Sequence, residues 1–78
     1  MGRYQIYQDA RLSVQRRNRQ AAGAHLRARA LLGDHAADPL VVATAWAEHQ
    51  AHVRLAAQAE RNLAAARLRL AEAAGIPR

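Results

Sequence analysis

Two stretches, residues 4–32 and 40–74, contain no proline and repeat apolar side chains on the three-four spacing of a heptad, which only a helix can place on one side. In the first stretch Tyr7, Val14, Ala21 and Ala28 hold one heptad position, and Ala10, Arg17, Ala24 and Leu31 hold the other. In the second, Val42, His49, Ala56, Leu63 and Leu70 pair with Ala45, His52, Ala59, Ala66 and Ala73. Between them Gly33 stands where a C′ glycine ends a helix, and Asp38-Pro39 supplies an N-cap acid followed by the favoured N1 proline. Gly75 and Pro77 repeat the stop signal. The pattern predicts an all-α, antiparallel helix-loop-helix hairpin in one domain over residues 1–78, with helices at about 4–32 and 39–74 and a loop at 33–38.

Folding the chain about that loop opposes Leu31 with Val42, Ala28 with Ala45, Val14 with Ala59, Ala10 with Leu63 and Tyr7 with Ala66. Large side chains mostly meet small ones, so two alanine-rich helices can approach closely in a coiled-coil-like seam. Alanine has a cost elsewhere. Of 40 hydrophobic residues 21 are alanine and none is phenylalanine, so a 78-residue chain has few large side chains to set against the entropy of ordering it. Ile6, Leu12, Leu26, Trp46, Leu55 and Leu68 fall off the seam at 100° per residue and ask for a second surface. A two-fold homodimer forming a four-helix bundle satisfies them most simply, and docking on another protein is the other way.

Without cysteine there is neither a disulfide framework nor a thiolate metal site. No apolar run approaches the ~20 residues of a bilayer span, and no basic-then-apolar signal opens the chain, so a cytoplasmic protein with no membrane partner is expected. Ser13 and Thr44 are the lone hydroxyl residues of their types, paired carboxylates and a glycine-rich phosphate loop are absent, and so no catalytic residue, enzyme activity or cofactor is expected.

All basic charge is arginine, 12 residues with no lysine, which together with the alanine excess reads as a GC-rich coding bias. Its placement says more: residues 1–33 carry seven Arg against Asp9, while residues 34–78 carry five Arg against five acids. Arg16, Arg19 and Arg27 share one stripe opposite the seam, with Arg16 and Arg27 ~16 Å apart along the axis, far enough to touch more than one phosphate. The plainer reading is a solvated arginine face, since no aromatic residues interleave for base stacking. Arg17, alone among the charged residues on the first seam, is expected to pair with Glu60 across it.

His49 and His52 lie three apart, and His25 should reach the same layer from the other helix. Three converging imidazoles suit zinc or nickel, although partly exposed histidines filling a wide layer explain the pattern equally, and no metal is expected. Trp46 is expected at an oligomer contact, and Tyr4 and Tyr7 at the open end of the hairpin near Leu63, Ala66 and Leu70. The architecture resembles that of small plasmid-encoded RNA-binding hairpins that dimerise into four-helix bundles, with no motif to align. The function expected is therefore a non-enzymatic, self-associating adaptor or assembly protein, of a kind a phage or mobile element would carry. The alternative is a small nucleic-acid-binding regulator acting through Arg16, Arg19 and Arg27.

Overall fold

A computed structural model describes residues 2–75. Two helices account for almost all of them, α1 over Arg3–Leu32 and α2 over Pro39–Ala73, packed side by side as a hairpin with no strand among the described residues. At 1.5 Å per residue, 30 and 35 residues make rods of about 45 and 52 Å, and the molecule measures 59 × 19 × 16 Å. Its radius of gyration is 17.5 Å, against about 11–12 Å for a compact chain of this length. This is a bar two helices thick, without a third layer to cover its sides.

The turn is built from two aspartates. Asp34 bends the chain by accepting from Ala36 N–H at 3.0 Å through its carboxylate and from Ala37 N–H at 3.0 Å through its carbonyl. Asp38 caps α2, its carboxylate accepting from Leu40 N–H at 2.7 Å, and Pro39 follows in the first turn, where its missing N–H leaves nothing unpaired. Gly33 departs from the expected left-handed cap. It is right-handed, at φ −78° and ψ −9°, because Asp34 N–H reaches back to Leu31 C=O at 3.2 Å and the reversal happens one residue later. Left-handed glycine occurs at the other end of the hairpin, where Gly75 (φ +72°) follows α2.

Among the described residues the seven that are buried, Val14, Ala24, Ala28, Ala56, Ala59, Leu63 and Ala66, all stand on the two heptad positions. Five are alanines, so little side-chain bulk fills the seam between the helices. A cluster with larger side chains joins Val14, Ala59 and Leu63, with Tyr7 and Ala10 packed against it. Tyr4 is not part of this packing: it is exposed, its hydroxyl accepting from Gln8 Nε2 at 2.7 Å and its ring tilted 6.4 Å from that of Tyr7. Ala73 is also exposed, because α2 outruns α1 and nothing stands opposite it. Arg17 does not reach Glu60. Its guanidinium donates to Gln20 Oε1 at 3.2 Å, one turn along its own helix, which holds it without ordering a second long side chain across the seam.

Candidate interaction surface

An antiparallel hairpin has two open edges, and here they differ in chemistry. On one edge, beside the loop, α1 contributes Arg27 and Leu31 and α2 contributes Leu40, Val41, Thr44, Ala45 and Glu48 to a groove of ≈ 330 Å³. Its floor is apolar because Leu31 and Ala45 are seam residues seen from the side. Leu40 is 73% exposed and Val41 50%, so both stand at the mouth. Thr44 has no proton to offer an occupant, since its hydroxyl already donates to Leu40 C=O at 2.8 Å, and can only accept. The walls carry opposite charges, Arg27 on α1 and Glu48 on α2, and neither makes an ion pair or hydrogen bond among the described residues. The Arg27 guanidinium lies back over Gly23, 3.6 Å from where a β-carbon would sit, and so runs along the rim.

On the opposite edge the imidazoles and Trp46 come together. The His25 and His49 rings lie 5.0 Å apart across the seam, and Trp46 meets them edge-on at 6.0 and 5.6 Å. Trp46 is therefore half-buried inside its own hairpin, unlike the other five apolar residues expected off the seam. His52 sits one turn further on, half-buried and outside this set of ring contacts. The three histidines thus do not converge. Among the described residues no group of three or more His, Cys, Asp or Glu is placed to hold a metal ion. His49 Nδ1 and His52 Nδ1 are both buried without a hydrogen-bond partner.

Ile6, Leu12, Leu26, Leu55 and Leu68 are all exposed, Leu26 at 69%. Leu32, Leu40, Val41, Val53 and Tyr4 join them, residues that the off-seam reading passed over although their heptad positions place them on the same edges and outer faces. Arg16, Arg19 and Arg27 are exposed as well, and no acid pairs with them among the described residues. The stripe is not uniform: Arg27 lines the groove at the hairpin's edge, and Arg16 and Arg19 do not. At the open end a second shallow groove of ≈ 400 Å³ is lined by Tyr7, Arg67, Leu70, Ala71 and Ala74.

No described helix is long and apolar enough to cross a membrane. The chain matches no model of a known protein family, no curated protein and no solved structure.

Proposed function

We propose that this chain is a non-enzymatic, self-associating helical hairpin of the cytoplasm, working as an adaptor or assembly component, whose dimer is a four-helix bundle. The observation that carries this reading is surplus surface. The chain exposes 5759 Å², whereas a compact monomer of 8.6 kDa exposes about 4,700 Å². The difference, on the order of 1,000 Å², is close to the ~800 Å² that each partner gives to an interface of standard size. Among the described residues ten large hydrophobic side chains are more than a third exposed, so apolar surface contributes to that excess. Pairing two such bars supplies that layer.

Sedimentation equilibrium between about 1 and 100 µM tests the reading. A mass near twice the 8.6 kDa chain is expected, rising with concentration. A mass of one chain throughout would withdraw it.

A second reading has one observation of its own: Arg16 and Arg19 are exposed cations without an acidic partner among the described residues, on the half of the sequence that carries the whole net charge of +6. Phosphates would pair with them. Fluorescence anisotropy with labelled RNA and DNA duplexes is the test. Micromolar binding that weakens steeply with salt supports the reading, the slope counting contacts at roughly 0.9 per phosphate on DNA. No binding at low salt removes it.

A further inference from the structure

The groove beside the loop has walls of opposite sign and an apolar floor, and that order of charges restricts what fits it. A nucleic acid would bring phosphate against Glu48, and an acidic or basic peptide would satisfy one wall while opposing the other. An occupant with the opposite order, acid facing Arg27 and base facing Glu48, matches both walls at once. A second copy of the same groove supplies that order when turned about a two-fold axis. We infer that the loop-half groove is the contact between two copies of this chain, with Arg27 of each protomer set against the partner's Glu48. This rests on the self-association proposed above and says where, and in which orientation, it occurs.

The charges also choose the axis. A two-fold axis lying across the bars would stack like on like, placing Arg27 over the partner's Arg27 and Glu48 over the partner's Glu48. An axis along the bars instead sets α1 of one copy against α2 of the other at the same height, which brings Arg27 and the partner's Glu48 together twice. Both loops then lie at one end. Adjacent helices are antiparallel here, as they would be with the crosswise axis, so helix dipoles do not choose between the two and the side-chain charges do. Leu40 and Val41, exposed at the mouth in the single hairpin, meet the partner's apolar floor in this arrangement. Further along the same edge Ser13 and Asn62 replace the apolar residues, so the contact is concentrated in the loop half and around Leu55.

A mixed-charge experiment separates contact between chains from contact within one. Arg27→Glu places two acids on the groove and Glu48→Arg two bases; both residues are exposed and both replacements are good helix formers, so far-UV circular dichroism should be unchanged. Each variant alone is expected to dimerise about tenfold more weakly than the native chain at low salt, because both pairs become repulsive. Mixed one to one, the two variants should form a heterodimer at least as tight as the native homodimer, seen by sedimentation or native mass spectrometry. Repulsion within each chain persists in the mixture, so recovery there comes only from pairing between chains. A native dimer whose variants dimerise unchanged and show no preference for each other would overturn this surface and leave self-association standing. A native chain that stays monomeric would overturn both.

Discussion

His25 and His49 face each other across the seam with rings 5.0 Å apart and tilted by 51°, and Trp46 closes the edge of the pair at 5.6 Å from His49. His52, one turn along, shares the burial of a ring nitrogen without a partner but not these ring contacts. The two histidines should therefore respond differently to the same change. A buried polar atom without a hydrogen bond costs about 1–3 kcal/mol, while an aromatic edge contact is worth about 0.5–1.5 kcal/mol. His52→Leu removes only the first and should stabilise the chain by about 1 kcal/mol, a rise of about 4–8 °C in Tm. His49→Leu removes both and should leave Tm near the native value. Thermal melts at one protein concentration decide this, and a fall in Tm for His52→Leu would show that its nitrogen is satisfied in solution.

Ala28 is fully buried, at 0% exposure, on the seam between the two helices. A leucine there adds three carbons with nowhere to go. Overpacking of this kind costs about 1–3 kcal/mol, so Ala28→Leu should lower Tm. Ala22→Leu, on the exposed side of the same helix, should change it little. Equal effects at the two positions would mean that the seam is looser than its alanines require.

Gly23 lies inside α1 with ordinary helical geometry, and a β-carbon there would meet only the tip of Arg27, at 3.6 Å. Glycine in a helix interior is unfavourable relative to alanine by about 0.8–1.0 kcal/mol. Gly23→Ala should accordingly stabilise the hairpin by nearly that amount in a urea titration with unchanged slope. A loss of stability would place something against this face, and in the dimer inferred above that something is the partner beside Arg27.

The seam was legible because alanine and leucine at heptad spacing have one helical interpretation, and each of the seven buried residues stands on it. What escaped was decided by local competition. Gly33 stayed right-handed because Asp34 and Asp38 provide a turn without it. Arg17 found Gln20 on its own helix before Glu60 across the seam. His52 falls away from the other imidazoles because three residues of rise carry it a turn along α2 while His25 stays level with His49. The groove itself was only half legible. Heptad spacing sets Arg27 and Glu48 on the same edge, and the exposure of Leu40 and Val41 follows from their positions beside the loop. That the two charges stay apart depends on the Arg27 side chain folding back over Gly23, which periodicity does not carry.

The orientation of the dimer can be read at the end of the hairpin remote from the groove. The native sequence has no cysteine, so a single nitroxide on Gln5→Cys, exposed near the start of α1, reports one distance per dimer. With the axis along the bars the two α1 helices lie diagonally in the bundle. Helix spacings of 8–10 Å then put the labels within about 30 Å of each other. With the axis across the bars at the groove, each label lies some 23 residues from it, and at 1.5 Å per residue the pair separates to about 70 Å. Pulsed dipolar spectroscopy distinguishes these lengths. The short distance is expected; adding Arg27→Glu to the labelled chain should weaken its signal, and mixing that chain with Glu48→Arg carrying the same label should restore it, since both chains of a dimer must be labelled to give a dipolar pair. A long distance in the native background would set like charges over like, and the reciprocal pairing of Arg27 with Glu48 would be wrong even though the chain self-associates.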